Sequence, residues 1–141
     1  MRYLAILCLF LLLFSCGISD PDTAAERDIR DLIYELGRDF NWNNIDGIMG
    51  KMHPEYRHKG MYQMQLRQLW LDRLAQYSLM ETSISRVEIN GDYAIVFLQA
   101  TFSSPSGSLT FMEPEDNGDY SYFYYDHGKW WIYGDQGWIS K

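Results

Sequence analysis

The sequence predicts an α+β domain in which three helices precede a single antiparallel sheet that bends around them. Apolar residues recur every three or four positions as far as Tyr77, and every second position from Leu79 onward. Turn signals at Asn90-Gly91, Ser104 to Gly107, Asp116 to Gly118 and His127-Gly128 divide the second half into strands of ordinary length.

The chain opens with a segment that does not belong to the fold. Arg2 supplies one positive charge, Tyr3 to Phe14 is an almost unbroken apolar run of 12 residues, and Leu13-Phe14-Ser15 leads into Cys16. A helix that spans hydrocarbon needs roughly 20 apolar residues, so the run reads as a secretory signal and not as a membrane span. Residues 1–15 are then signal, 16–22 a cysteine and short tether containing Asp20-Pro21-Asp22, and 23–141 the domain.

Within the domain, Thr23 followed by Glu26 has capping-box spacing, and Ala25, Ile29, Ile33, Leu36 and Phe40 form one stripe of a first helix. Asn43-Asn44 breaks it. Ile45, Ile48, Met49 and Met52 predict a short second helix that Pro54 ends, and His53 to Gly60 reads as a turn or a short strand. Tyr62, Leu66, Leu69, Trp70, Leu74 and Tyr77 mark a third, amphipathic helix.

The strand half can be read face by face. A two-residue Asn90-Gly91 turn pairs Ile89 with Asp92, which puts Val87 on the side of Ala94, Val96, Leu98, Ala100 and Phe102. Ile84 has the wrong parity for that side, so a bulge near Ser85-Arg86 is expected, and it would bend the strand. The His127-Gly128 turn pairs Tyr125 with Trp130, placing Phe123, Tyr125, Trp130 and Ile132 on one face and Tyr122, Tyr124, Trp131 and Tyr133 on the other. The opposite face of the first hairpin carries Tyr93, Ile95 and Phe97. Both surfaces of the sheet are therefore apolar or aromatic. An antiparallel sheet that faces water usually alternates apolar with polar, so the second face needs a covering layer, a partner chain or a ligand. Ile95, Phe97, Tyr122, Tyr124, Trp131 and Tyr133 are the interface candidates; local cross-strand aromatic pairing is the competing account. How the faces of the two hairpins match stays open at this level.

Composition excludes some functions. Loss of the signal removes only Arg2 from the charge count, leaving 11 Lys and Arg against 19 Asp and Glu. A net charge near −8 offers no basic footprint for nucleic acid. Cys8 leaves with the signal, so Cys16 has no disulfide partner and a core must hold the domain together. The aromatic content of 16%, with five Trp and eleven Tyr, predicts a large aromatic core or an apolar cavity.

Two resemblances add to this reading. Leu13, Phe14, Ser15 and Cys16 resemble the lipobox of bacterial lipoproteins, which implies cleavage before Cys16, acylation of that cysteine (palmitate among the acyl groups) and anchoring in the cell envelope with the domain outside the cytoplasm. The tether reaches only about 20 Å, close to the lipid surface. Gly17 stands where an Asp retains some lipoproteins in the inner membrane, which tilts the expectation to the outer one.

The order of elements resembles the nuclear transport factor 2-like superfamily and its SnoaL-like branch, over about residues 24–136. The resemblance rests on Asn43-Asn44-Ile45-Asp46-Gly47-Ile48, Met52-His53-Pro54-Glu55-Tyr56, Gly91-Asp92-Tyr93-Ala94-Ile95-Val96 and Gly128-Lys129-Trp130-Trp131-Ile132-Tyr133. It implies a cone-shaped α+β barrel with the helices in the concavity of the sheet, and homodimers packed sheet against sheet. It also implies a choice between small-molecule binding and the acid-base chemistry of isomerases and dehydratases. Several relatives carry a histidine or acid after the last tryptophan, where this chain has Gly134.

No catalytic residue is carried over, and no cofactor is expected. A carboxylate base and a tyrosine donor are what isomerase chemistry requires, and Tyr34 with Asp46 is the nearest pair to consider. Tyr34, Tyr62, Trp70, Phe123 and Trp130 are the candidates to line a pocket for a small apolar ligand, although aromatics at helical spacing are more often core. His53, Glu55 and His58 fit no standard metal-ligand spacing, and no metal is expected. The expectation is a membrane-tethered, non-enzymatic module that binds a small ligand or a protein; the alternative is an isomerase or dehydratase working in the cone.

Overall fold

The computed structural model describes residues 21–57, 60–114 and 122–134. The expected signal and lipidated Cys16, His58 and the Asp116 to Gly118 turn lie outside the described residues.

Helix α1 (Pro21–Asn41) crosses the concave side of the sheet. Its stripe of Ile29, Ile33, Leu36 and Phe40 is almost completely buried, and each such side chain contributes roughly 1.5–3 kcal/mol by leaving water. The helix already runs from Pro21, so Thr23 lies inside it and not at its N-cap; Glu26 pairs with Arg30 at 2.7 Å. Asn43, at φ +56, turns the chain, and the Asn44 side chain caps α2 (Ile45–Met49) by accepting from the Gly47 N–H at 3.1 Å. That helix ends at Gly50, earlier than expected. Pro54 falls within β1 (Met52–Arg57), which pairs on one side only, where a missing N–H is tolerated.

Helix α3 (Gln63–Gln76) buries Leu66 and Trp70, with Tyr62 as its N-cap. Strands β2 (Leu79–Asn90), β3 (Tyr93–Ser104), β4 (Gly107–Glu113), β5 (Tyr122–Asp126) and β6 (Lys129–Gly134) complete the described elements. The sheet order is β1-β6-β5-β3-β2, with β4 on β3. Every pairing is antiparallel except β1 with β6, which run parallel. The sheet is therefore mixed, because the segment that sequence left as turn or strand is a strand on its far edge.

The bend has a local cause. Strand β2 pairs Ile84 with Leu98 and Arg86 with Phe97, so Ser85 is the extra residue of a bulge and its hydroxyl donates to the Phe97 C=O at 3.0 Å. At the same level β3 changes its other neighbour, from β5 at Tyr93 to Ile95 to β4 from Leu98 onward. The first hairpin turns at Gly91-Asp92, one residue later than expected, since Asn90 pairs with Tyr93. Face assignment survives, because Val87 then pairs with Val96 instead of Ala94. The second turn is as expected: Tyr125 pairs with Trp130, and His127 and Gly128 both have positive φ. The result is a bent, unclosed α+β cone with the helices in its concavity.

Candidate interaction surface

Register decides how the two hairpins share their faces. Ala94 pairs with Phe123 and Tyr93 with Tyr124, while Tyr124 pairs with Trp131. Hence Ala94, Val96, Leu98, Ala100, Phe102, Phe123, Trp130 and Ile132 all face the helices, and all are buried. Phe102 meets Phe40 at 5.1 Å and Trp70 at 6.1 Å between ring centroids, and Phe40 meets Trp70 at 6.1 Å. These rings touch one another across the interior.

The pocket candidates therefore divide. Trp70, Phe123 and Trp130 are core residues in ring-to-ring or sheet packing. Tyr34 is 54% exposed on the outer side of α1, and Tyr62 is 57% exposed beneath the Arg57 guanidinium, 4.0 Å from its ring; neither lines the cone. Tyr34 is one position off the stripe set by Ile33, which explains its direction. Asp46 is exposed and bonded to Arg67 at 2.9 Å, in a different cleft neighbourhood from Tyr34. Gly134 has φ +91, and a Cβ there would lie 2.3 Å from the Arg57 carbonyl oxygen. This backbone has no room for a side chain at the end of the last strand unless its neighbours shift.

Outside the sheet, the residues expected as an interface form one surface. Tyr93 stacks on Tyr124 at 4.7 Å with 19° between ring planes, and Tyr124 leans on Tyr133 at 5.3 Å. The Lys129 ammonium sits 3.4 Å from the Trp131 ring centroid, and the Arg86 guanidinium 3.9 Å from that of Phe97. Tyr93, Ile95, Phe97, Tyr122, Tyr124 and Trp131 are all half-buried, and Tyr133 is buried.

His53, on the edge strand β1, adjoins this surface and is 5% exposed, with its ring edge-on to Tyr124, Trp131 and Tyr133 at 5.2–5.7 Å. Its hydrogen bonds set its tautomer. The Glu55 N–H donates to Nδ1 at 3.0 Å, which requires a lone pair there, so the proton sits on Nε2 and is donated to Asp126 Oδ2 at 3.3 Å. The same oxygen accepts from His127 Nδ1 at 2.7 Å. The His127 bond is the main reason the Asp126 carboxyl is held below the usual carboxylate range; burial opposes it and the His53 bond adds to it. Burial pushes the Tyr124 and Tyr133 hydroxyls up, Tyr93 and Asp126 adding for Tyr124 and Glu55 for Tyr133.

His53 and Asp126 were not legible as part of this surface. The missing signal was that Met52 pairs with Ile132 and faces inward, which turns His53 outward beside Tyr133. Among the described residues no three His, Cys, Asp or Glu side chains converge on a metal-sized site; His58 lies outside them. A second polar group, in which Asp39 pairs with Lys51 and accepts from Asn44 at 3.0 Å, ties α1 to α2 and β1. A surface cleft of about 440 Å³ beside it, lined by Asp28, Asp31, Glu35 and Lys129, is open to solvent.

No family model matches the sequence, and no curated protein matches it significantly. Solved structures do match the fold. An NTF-2 like protein of unknown function from Shewanella oneidensis superposes with a TM-score of 0.62 at 12% identity, over 77% of this chain and 93% of that one. The Bdellovibrio bacteriovorus protein Bd1075 gives 0.62 at 9% identity over 79% of this chain, which spans only 40% of that protein. An LEH-like epoxide hydrolase from Mycobacterium tuberculosis gives 0.50 at 12% identity over 74% of each chain. The fold is thus the nuclear transport factor 2-like α+β cone, one that serves an enzyme and proteins of other description alike.

Proposed function

We propose that this chain is a lipid-anchored module of the bacterial cell envelope that works by association, through the aromatic outer face of its sheet. One observation carries the reading: Tyr124 and Trp131, with Ile95 and Phe97 on the same face, are half-buried with no described helix over them, on a sheet whose inner face is already packed. Aromatic rings with polar tips suit a surface that is dry in a complex and wet outside it. The partner we favour is a second copy, sheet against sheet. Anchoring through Cys16 confines the copies to one membrane and raises their local concentration.

A small apolar ligand in the cone has less support, because Trp70, Phe123 and Trp130 pack against other rings or strands. An isomerase or dehydratase has one observation in its favour: Glu113 is an acid buried on the inward face of β4, opposite Leu98. Against it stands Gly134, whose backbone has no space for the second group.

Sedimentation of the full chain in detergent tests the main reading. Replacing Tyr124 with Ser and Trp131 with Lys is expected to lower the sedimenting mass to about half at unchanged circular dichroism; a mass unaffected by both replacements rules out this surface. Cys16→Ser is expected to move the protein from the membrane fraction to the released fraction, and intact-mass measurement of the wild type should show the acyl groups.

A further inference from the structure

The sheet has three strand edges among the described residues, and two of them are guarded. On β2, Asn41 of α1 bonds the main chain of Met80 twice, accepting from its N–H at 2.6 Å and donating to its C=O at 3.2 Å, while Arg30 donates to the Ile84 C=O at 3.4 Å. On β1, Pro54 removes a donor and the pairing with β6 is irregular. The third edge is β4, paired with β3 alone in an unbroken register from Gly107 to Glu113, with no proline, lysine or bulge.

The direction of that edge follows from Asn41. Because Met80 turns its peptide groups toward α1, its partner Phe102 turns its own toward β4, and Phe102 with Leu109 is a hydrogen-bonded pair. Alternation then leaves Ser108, Thr110 and Met112 with N–H and C=O groups pointing away from the sheet. Leu109 is 37% exposed and Met112 46%, beside these groups.

We infer that β4 is a second association site, independent of the aromatic face, and that its occupant is β4 of another copy, paired antiparallel about a two-fold axis through Thr110. Charge favours a second copy. In a chain with 19 acids and 12 bases, Gly107 to Met112 carries no charge, so this is a stretch where two copies meet without like-charge repulsion. Register favours it too. The two-fold sets Leu109 of one copy beside Phe111 of the other on the inner face, Met112 beside Ser108 on the outer face, and Glu113 beside Gly107. Thr110 faces its own counterpart, as it already faces Thr101 at 3.1 Å within the chain. Together with the aromatic face, such a site makes an assembly larger than a dimer.

Thr110→Cys tests the geometry in the full chain, in native membranes under mild oxidation. Residues opposed in a hydrogen-bonded pair lie about 5.5 Å apart at Cα, within disulfide range. A species of twice the mass on a non-reducing gel is expected, absent from the wild type and from Thr101→Cys, whose counterpart would be about 14 Å away, three strand spacings. The species is also expected with Tyr124→Ser and Trp131→Lys in the same chain, which separates this site from the aromatic face. No linked species above the Thr101→Cys level overturns the proposal, and so does one that vanishes when the aromatic face is altered. Thr110→Pro places the ring on the outward side without removing a β3 bond, and is expected to lower the sedimenting mass while leaving the fold's circular dichroism intact; an unchanged mass counts against the site.

Discussion

Strand β3 turns Ala94, Val96, Leu98, Ala100 and Phe102 toward the helices and Tyr93, Ile95, Phe97, Gln99 and Thr101 the other way. The inner row, with two alanines, is buried throughout and lets the helices lie close. The outer row begins with large apolar or aromatic side chains that stay half-buried and ends in polar ones. Both rows satisfy the same backbone, so the difference is one of covering layers: among the described residues the inner face has α1 and α3 upon it, whereas no described helix lies on the outer face. Half-burial of aromatic residues is what lateral packing alone achieves, and it leaves area to be removed from water by a partner.

Substitutions can separate the two faces. Phe102→Ala should cost about 3–5 kcal/mol in denaturant unfolding, because its ring meets Phe40, Trp70 and Phe111 in a closed interior. Phe97→Ala, in the outer row, should cost about 1 kcal/mol or less of monomer stability, discounting for its exposure. Equal losses would mean that the outer face is as closed as the inner.

Next in size is Gly134→Ala. The added Cβ must displace the Arg57 carbonyl and the Tyr56 ring, so a loss of about 2–3 kcal/mol is expected, and a neutral result would show that the last strand can accommodate a side chain after all. Gly37→Ala works in the other direction. Its Cβ would meet only the Met80 carbonyl oxygen at 3.7 Å, an ordinary contact, so the gain in helix propensity, up to about 1 kcal/mol, should raise the melting temperature. A loss there would mean that α1 lies closer to β2 than this spacing.

The smallest effect concerns pH and the outer face alone. Asp126 has its folded-state pKa lowered, so its contribution is present above the ordinary aspartate range and is lost as pH falls through the folded value. The melting-temperature difference between wild type and Asp126→Asn should therefore shrink on acidification below about pH 4. A difference that persists undiminished in acid would mean that the carboxylate's charge is not what the two histidines stabilise.

Much of the sheet was legible because strand periodicity is local. Ile84 has the wrong parity for its neighbours, and a single extra residue at Ser85 restores it. His127-Gly128 reads as a turn because both residues accept positive φ. Tyr62 misled because spacing alone placed it on the stripe of α3, whereas it is the residue before the helix and its N–H bonds the Gln65 side chain at 2.8 Å. For His53, the obstacle was that β1 pairs in parallel with a strand about 80 residues away, and nothing in Met52 to Arg57 names that partner.

The sequence by itself determined the α1 stripe, the breaks at Asn43-Asn44 and His127-Gly128, the bulge, and the presence of aromatic residues on a second sheet face. Each of these follows from how neighbouring residues on one chain segment share a helix turn or alternate across a pleat. Only the tertiary structure decided that Tyr93 stands beside Tyr124, that His53 and Asp126 meet on the same face, and that β4 is an edge paired on one side among the described residues. Backbone hydrogen bonds are the same for every strand, so partner choice rests on how distant segments pack together, and that information is spread over the whole chain.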